Sequence, residues 1–312
     1  MDLSVRIGPL TLKNPLIAAS GCFGYGTEYA ELVDLSSLGG VAVKGLFLAE
    51  REGHPPPRIV ETPAGMLNAI GLQGIGVHRF VAEKMPELRA RGAVVFVNIC
   101  GTTLQEYVEL ARILSDVEGV AALELNISCP NIKEGGITFG CSLHGTADVV
   151  AAVRAATRLP VIPKLTPNVT DISSIAKAAE EAGADAVSLV NTFLAMAIDV
   201  ETRRPRLSNI VGGLSGPAIR PIAVRMVYEC RQQIRIPIIG MGGIATAADA
   251  LEFMIAGASA VQVGTANFVD PLIWPKLVDG MVSYGERHGI GKIADLVGTI
   301  DTSAREKEWI SS

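Results

Sequence analysis

Short apolar runs rich in β-branched residues recur along the chain, and most are followed by a segment with helical periodicity. This alternation predicts βα units, because neighbouring parallel strands need a long and usually helical crossover. Eight runs can be identified, at residues 15–20, 41–45, 94–99, 122–127, 161–165, 186–191, 237–243 and 260–266. Eight successive units favour a closed (β/α)8 barrel, the TIM-barrel form of the α/β class.

Two helices carry clear local signals. Apolar residues within 172–179 recur at i, i+3, i+4 and i+7, which predicts a helix that Gly183 ends. Thr246 and Asp249 have the spacing of a capping box, and Gly257 is placed to end the helix that follows them.

Three segments do not fit a bare barrel. Residues 3–12 predict an N-terminal hairpin that closes the barrel floor, and the intervals 46–75 and 192–216 are too long for simple crossovers. Long loops inside compact domains are usually functional, so we expect both intervals at the C-terminal face. Nothing marks an interdomain linker, and we expect a single barrel domain over 1–312.

Composition limits the ligand and the compartment. The 27 basic and 32 acidic residues contain no basic block, so neither nucleic acid nor an anionic membrane is expected as a partner. Five cysteines without CxxC spacing are typical of free thiols in the cytoplasm. The first residues contain no signal-peptide pattern, and no apolar run reaches the ~18 residues of a membrane span. We expect a cytoplasmic protein with a small-molecule ligand.

Polar residues and glycines stand at the ends of all eight predicted strands. Active sites of (β/α)8 barrels lie at the C-terminal ends of the strands, so these residues predict one converging pocket. They are Ser20, Lys44, Asn98, Asn126, Lys164, Asn191, Thr192, Gly242, Gly243, Gly264 and Thr265.

The glycines after the last two strands predict a phosphate site, because exposed backbone N–H groups there commonly bind one. The chain has neither GxGxxG after its first strand nor a P-loop, so a ligand with a single phosphate fits better than a dinucleotide. Lys44 and Lys164 would supply positive charge inside the pocket, as a reduced flavin requires. These features favour FMN, with a phosphosugar as the rival.

Cys129 is the candidate catalytic residue. It follows the fourth strand by a few residues in a loop, where a side chain can face a ligand, and a thiol can act as a base near neutral pH. The other cysteines are more typical of small buried apolar residues. None of the four histidines lies at a strand end, which argues against a Cys–His nucleophile. Neutral amides suit a ring with alternating N–H and C=O groups, and four are available, at Asn68, Asn126, Asn131 and Asn191.

Together these motifs resemble those of class 1 dihydroorotate dehydrogenases over nearly the whole chain. The motifs are "VKG" (43–45), "NAIGLQ" (68–73), "NISCPN" (126–131), "PKLTPN" (163–168), "NT" (191–192), "GGLSGPAIRP" (212–221), "GMGGI" (240–244) and "VGTA" (263–266). The resemblance implies an FMN-binding barrel that oxidises dihydroorotate to orotate in pyrimidine (UMP) biosynthesis.

The resemblance also implies residue roles. Cys129 would remove the proton from substrate C5 while hydride passes from C6 to flavin N5. The substrate would be held by Lys44, Asn68, Ala69, Ile70, Gly71, Leu72, Asn126, Asn131, Asn191 and Thr192. One FMN would be held by Ser20, Lys44, Gly45, Asn98, Asn126, Lys164, Val190, Gly216, Gly242, Gly243, Gly264 and Thr265.

The subclass follows from the substrate loop. "NAIGLQ" is more similar to the NAD-linked subclass 1B than to the fumarate-linked subclass 1A, and a cysteine base points away from the quinone-linked class 2. Subclass 1B implies a separate partner subunit with FAD and a [2Fe–2S] cluster, and a homodimer within a heterotetramer. Gly74 departs from the pattern, where an asparagine is expected.

Alternatives remain at this point. A fumarate-linked class 1A enzyme, or another FMN barrel acting on a pyrimidine or a tRNA uridine, would share the glycines and lysines. The tRNA-acting group would be expected to have a basic face and a helical domain, and neither is visible. A barrel that only binds a phosphorylated metabolite would leave Cys129 unexplained.

Overall fold

The computed structural model describes residues 1–128 and 139–303. Its strands, in chain order, are β1 Val5–Ile7, β2 Leu10–Leu12, β3 Leu16–Ala18, β4 Gly40–Ala42, β5 Ile59–Thr62, β6 Gly65–Asn68, β7 Val95–Ile99, β8 Val120–Asn126, β9 Val161–Lys164, β10 Val187–Leu189, β11 Phe193–Met196, β12 Ile198–Asp199, β13 Arg204–Pro205, β14 Val211–Ser215, β15 Ile238–Met241 and β16 Ala260–Val263.

Eight of these strands form a closed parallel barrel in the order β3-β4-β7-β8-β9-β10-β15-β16, with β16 pairing back to β3. Each lies at one of the eight apolar runs, so the predicted (β/α)8 barrel is confirmed. The interior and the strand–helix interface share one continuous core of buried aliphatic and aromatic residues. That burial holds the strand ends in fixed positions around the mouth.

The helices are α1 Val77–Arg79, α2 Met85–Ala90, α3 Leu104–Ser115, α4 Leu143–Ala156, α5 Ile172–Glu181, α6 Arg220–Gln233, α7 Ala247–Ala256, α8 Ala266–Val269 and α9 Ile273–His288. A π-helical turn, Phe80–Lys84, joins α1 to α2. The crossover from β3 to β4 contains the 3-10 turns Thr27–Tyr29 and Leu35–Ser37. Among residues 1–128 and 139–303, no helix has the length and apolar character needed to cross a membrane.

Both helices with clear local signals are confirmed. The four apolar residues of α5 within 172–179 are buried, and Gly183 follows its end with φ +95°. In α7, Thr246 and Asp249 form the reciprocal capping box, and Gly257 is the C-cap with φ +131°. Local sequence was sufficient here because both signals act within one or two helical turns.

The N-terminal hairpin is also confirmed. Strands β1 and β2 pair antiparallel and bury Val5, Ile7 and Leu12. The turn between them lies against Asp185, since a Cβ at Gly8 would be 3.1 Å from the Asp185 Cβ. Asp185 precedes β10, so the hairpin lies at the N-terminal end of the barrel.

The two long intervals combine into one structure that the sequence did not reveal. Strands β5 and β6 from the first interval and β11 and β14 from the second form an antiparallel sheet in the order β11-β14-β6-β5. Asn68 of β6 is in register with Gly213 of β14. The sheet covers a small core of its own around Val60, Leu67 and Leu207.

Candidate active site

Three polar side chains lie inside the barrel, on three strands that alternate with others in the barrel order. Glu124 is on β8, Ser188 on β10 and Gln262 on β16, and all three are buried. Side chains from alternate strands share a layer in this fold, so the three residues belong to one polar layer. Sequence reasoning missed them. The available signal was one polar residue inside each of three apolar runs, which in β8 comes two residues before the polar strand end at Asn126.

Three of the predicted cofactor residues meet directly above this layer. The Asn98 amide donates to a Glu124 carboxylate oxygen (2.7 Å), and the Ser20 hydroxyl donates to the same oxygen (3.3 Å). The Lys164 ammonium donates to the Ser20 hydroxyl oxygen (3.2 Å). The side chains of Ser20, Asn98 and Lys164 therefore form one connected group of donors at the C-terminal ends of their strands.

The predicted glycine loops also converge. The Thr265 hydroxyl donates to the Ser215 hydroxyl at 2.8 Å, which joins the loop after β16 to the end of β14. Gly243 has φ +76°, and a Cβ there would lie 2.7 Å from the Gly216 carbonyl oxygen. Gly216 itself has φ +95°. Only glycine fits these two positions without strain, so backbone lines this part of the mouth.

Gly242 and Gly264 complete the same region. Gly242 has φ +131°, and a Cβ there would lie 2.9 Å from the Ala223 Cβ. A Cβ at Gly264 would lie 3.3 Å from the Cys22 sulfur. Close packing therefore favours glycine at these positions, and glycine has no side chain to screen its main-chain N–H group from a phosphate.

Lys44 and Gly45 follow β4 on the adjacent side of the mouth. A Cβ at Gly45 would lie 2.8 Å from the Cys100 sulfur and 3.0 Å from the Asn98 amide oxygen, so a side chain does not fit there. Burial lowers the pKa of Lys44 from its ordinary value, and the nearby Arg58 charge lowers it further. An anion placed beside Lys44 would raise that pKa again, because it favours the charged form.

The predicted substrate amides are also brought together. The Asn191 amide donates to the Asn126 side-chain oxygen (3.5 Å), and the Asn191 side-chain oxygen accepts from the Thr192 main chain (2.8 Å). The Asn68 amide donates to the Gly213 carbonyl (3.3 Å), and a Cβ at Gly213 would clash with Thr192. Asn68 thus reaches the site only because β6 pairs with β14.

The rest of the predicted substrate loop is tightly folded. Gly71 and Leu72 both have positive φ, +76° and +55°, which is uncommon for leucine. His54 holds the loop through two contacts. Its ring Nδ1 is 3.1 Å from the Ala69 carbonyl oxygen, and its main-chain N–H donates to the Ile70 carbonyl (3.0 Å).

Gly74, where the family resemblance predicts asparagine, is closely packed. Its main chain pairs with Arg51 in both directions, at 2.8 and 3.0 Å. A Cβ at Gly74 would lie 3.2 Å from both the Gly45 carbonyl oxygen and the Tyr25 hydroxyl. The space beside Gly45 is therefore closed by backbone at this point.

Val190, another predicted cofactor residue, is buried and donates its N–H to the Met241 carbonyl at 3.1 Å.

Cys129 and Asn131 lie outside the described residues. The described residues on either side of them are well anchored. The Ser128 hydroxyl donates to the Lys164 carbonyl (3.0 Å), and the Gly140 N–H donates to the Ile127 carbonyl (3.0 Å). The chain therefore leaves and rejoins the barrel at the end of β8, beside β9.

The remaining cysteines differ among themselves. Burial raises the pKa of Cys22 to about 11 and that of Cys230 to about 12, so both stay protonated at neutral pH. Cys100 is buried as expected. Cys141 is exposed, so the expectation of a buried residue was wrong there. It is the last residue of the short 3-10 turn Phe139–Cys141, which has no regular apolar pattern.

Fold and site together define a (β/α)8-barrel protein whose C-terminal mouth combines glycine loops with amides, hydroxyls and lysines that are buried or partly buried. A model of the dihydroorotate dehydrogenase family matches residues 2–284. The chain belongs to the dihydroorotate dehydrogenase family.

The chain is similar to curated proteins named dihydroorotate dehydrogenase B (NAD(+)), catalytic subunit. It is 52% identical over 300 residues to the one from Bacteroides thetaiotaomicron, covering 96% of this chain and 99% of that protein. It is 54% identical over 297 residues to the one from Porphyromonas gingivalis, covering 95% and 97%. Among solved structures, dihydroorotate dehydrogenase from Eimeria tenella in complex with ferulenol has a TM-score of 0.79 at 23% identity, covering 96% of this chain and 88% of that one. That likeness shows the fold.

Proposed function

We propose that this protein oxidises dihydroorotate to orotate in pyrimidine biosynthesis as the catalytic subunit of an NAD-linked enzyme. The proposal is carried by one observation. The Asn126 and Asn191 amides are in contact at the mouth of a barrel of this family, and Asn126 is in register with Lys164. Asn68 bonds the Gly213 carbonyl, beside Thr192. Neutral amides offer both donors and acceptors, as the ring of a cyclic ureide requires.

The residues at the mouth fit FMN. The loops that carry Gly216, Gly242, Gly243 and Gly264, called the recess below, would offer main-chain N–H groups to a phosphate, since no Cβ screens them. Ser20, Asn98 and Lys164 would contact the polar edge of the ring system, and Lys44 and Gly45 would lie beside it. Further contacts are proposed for Asn126, Val190 and Thr265. When bound, FMN supplies a two-electron acceptor next to the substrate.

The chain's own residues have three tasks in this reaction. Asn68, Asn126, Asn131, Asn191 and Thr192 bind and orient the pyrimidine, together with residues 69–72. Lys44 offers a positive charge to the substrate carboxylate. Cys129 removes the proton from C5, which the adjacent carbonyl acidifies. A thiol suits this task because its ordinary pKa of ~8.5 lies near the working pH.

The reductive half-reaction tests the proposal. Purified protein with FMN, mixed with dihydroorotate without oxygen, should lose its yellow flavin absorbance. Cys129→Ala should retain FMN but react ~10² times more slowly or worse, as expected when a general base is removed. Cys141→Ala is the matched control, because Cys141 is exposed and is not assigned to the site. An unreactive wild-type flavin would refute the function, and an unimpaired Cys129→Ala would refute the base.

We also propose a separate electron-transfer subunit that carries FAD and a [2Fe–2S] cluster. The relatives are named catalytic subunits, and this sequence has no cysteine spacing for such a cluster and no dinucleotide fingerprint. The isolated chain should reduce NAD⁺ poorly with dihydroorotate, and addition of the partner subunit should restore the reaction. Efficient NAD⁺ reduction by the isolated chain, or turnover with fumarate instead, would contradict this assignment.

A homodimer at the centre of that assembly is the third proposal. Leu194 and Met196 of β11, Ile198 of β12 and Val200 just after β12 recur at every second residue and are 46–79% exposed. A second copy of the chain would cover these apolar side chains through an isologous interface. Sedimentation of the purified chain should show a dimer, and Leu194→Glu should dissociate it. A monomeric wild-type chain would favour the electron-transfer subunit as the protein that covers these side chains.

We place the complex in the cytoplasm, which fractionation of cells can test.

A further inference from the structure

Glu124 is a buried carboxylate to which the proposed reaction gives no role. It lies on β8, and its side chain is fully buried. The groups that contact it come from β7, β10 and β16 and from the end of β3, so the carboxylate lies in the barrel interior. An acidic side chain is almost never buried in this way unless other groups compensate its charge.

Within residues 1–128 and 139–303, Glu124 accepts each of its side-chain hydrogen bonds from a neighbouring donor. One oxygen accepts from the Gln262 amide (2.6 Å) and the Ser188 hydroxyl (2.9 Å). The other accepts from the Asn98 amide (2.7 Å) and the Ser20 hydroxyl (3.3 Å). Each oxygen faces an amide N–H₂ group, which can only donate. A proton on either carboxylate oxygen would therefore point at another donor and not at an acceptor. The surroundings therefore match the ionised carboxylate.

Lys164, at the end of β9, lies beside the Glu124 carboxylate. Its ammonium is 3.9 Å from the nearer Glu124 oxygen, and its side chain is 7% exposed. The Ser20 hydroxyl bridges the two, because it accepts from Lys164 (3.2 Å) and donates to Glu124. The negative charge thus lies next to the cation that is proposed to contact the cofactor.

We propose that Glu124 is a positioning residue of the cofactor pocket and that it lowers the reduction potential of the bound flavin, because its negative charge offsets the positive charge of Lys164. The proposal rests on the proposed function in one respect, that the pocket holds FMN. A reduced flavin carries more negative charge than an oxidised one, so a cation alone would favour reduction and a nearby anion opposes it. The same carboxylate orients the Ser20 and Asn98 side chains toward its own oxygens.

Glu124→Gln tests the charge because it retains the shape of the side chain. The variant should bind FMN with a higher midpoint potential, and the equilibrium constant for two-electron reduction should rise at least tenfold, about 30 mV. The potential is measured by equilibration of the FMN-loaded protein with a reference dye, without dihydroorotate. An unchanged or lower potential would overturn the proposal.

Two control variants separate charge from structure. Glu124→Asp retains the charge on a shorter side chain, so its potential should stay near that of the wild type although the protein becomes less stable. Ser188→Ala removes one donor to Glu124 without altering any charge, and should also change the potential little. A shift in either variant as large as that of Glu124→Gln would refute an electrostatic role.

A double variant covers the case in which Glu124→Gln fails to fold. Replacing both members of a buried ion pair with neutral side chains is often tolerated, whereas removing one partner is not. The double variant Glu124→Gln/Lys164→Met loses one charge of each sign, so its potential should stay near that of the wild type. A potential lower by about 30 mV or more would show that Lys164 acts without an offset from Glu124 and would overturn the proposal. A wild-type protein that does not bind FMN would refute the proposed function. Normal FMN binding with an unaltered potential in Glu124→Gln would refute only the role of Glu124.

Discussion

The Tyr107 hydroxyl donates a 2.6 Å hydrogen bond to the main-chain carbonyl of Asn126. Tyr107 is fully buried on α3, and its ring packs edge-on against Phe139. A helix outside the barrel therefore fixes the end of β8, from which the Asn126 amide reaches the site. This contact also lies next to the point at which the chain enters the segment that carries Cys129.

Tyr107→Phe should destabilise the protein by about 1–2 kcal/mol, because it removes one hydrogen bond and leaves a buried carbonyl without its partner. The ring and its packing remain, so the fold should be retained. Urea denaturation of the FMN-free protein measures the loss. Orotate affinity should fall as well, since Asn126 is no longer held. Wild-type stability with wild-type affinity would show that the hydroxyl does not fix the strand end.

Gly243→Ala should weaken FMN binding at least tenfold, equivalent to about 1.4 kcal/mol. The added Cβ would enter the recess 2.7 Å from the Gly216 carbonyl oxygen, at a residue with positive φ. Fluorescence titration with FMN measures the affinity.

Gly289→Ala is the matched control for that variant. Gly289 ends α9 and also has positive φ, +67°. Within the described part of the chain, and apart from its own chain neighbours, no heavy atom would lie within 4 Å of the added methyl group. The substitution should cost about 1–2 kcal/mol of stability with unchanged FMN affinity. Equal losses of affinity in both variants would mean that backbone strain, and not the recess, is responsible.

Orotate binding should take up a proton at alkaline pH. Burial lowers the pKa of Lys44 below its ordinary value of 10.5, so as pH rises the free protein loses this proton earlier than an ordinary lysine would. A substrate carboxylate favours the charged form and raises that pKa again. Calorimetry at about pH 9 in two buffers of different ionisation enthalpy measures the uptake, and Lys44→Met should abolish it. Uptake that persists in Lys44→Met would assign the proton to another group.

Asn191→Ala should raise the KM for dihydroorotate about 10- to 100-fold, in line with ~1–3 kcal/mol for a polar group left without its partner. The Asn191 side chain contacts Asn126 and accepts from the Thr192 main chain, so its loss disturbs three proposed substrate contacts. Asn209→Ala is the control, because Asn209 is an exposed loop residue whose side chain, among the described residues, bonds the nearby Val211 carbonyl. A KM that rises equally in both would exclude a specific role for Asn191.

Local sequence was enough to establish the eight strands, the α5 and α7 boundaries and the polar residues at the strand ends. These features depend on short-range physical effects: apolar periodicity, capping within one helical turn, and the backbone freedom of glycine. The ordinary order of strands in a (β/α)8 barrel then brings all strand ends to one mouth, so Ser20, Asn98 and Lys164 were found without coordinates.

Which distant segments meet depends on the folded chain as a whole. Asn68 reaches the site through the pairing of β6 with β14, and neither strand contains a signal that identifies its partner. Glu124 became a candidate only when the closed barrel placed donors from four other strand regions around it. In the sequence, a glutamate between two leucines of a strand predicts no partner, because the layer to which it belongs is set by the stagger of the whole barrel.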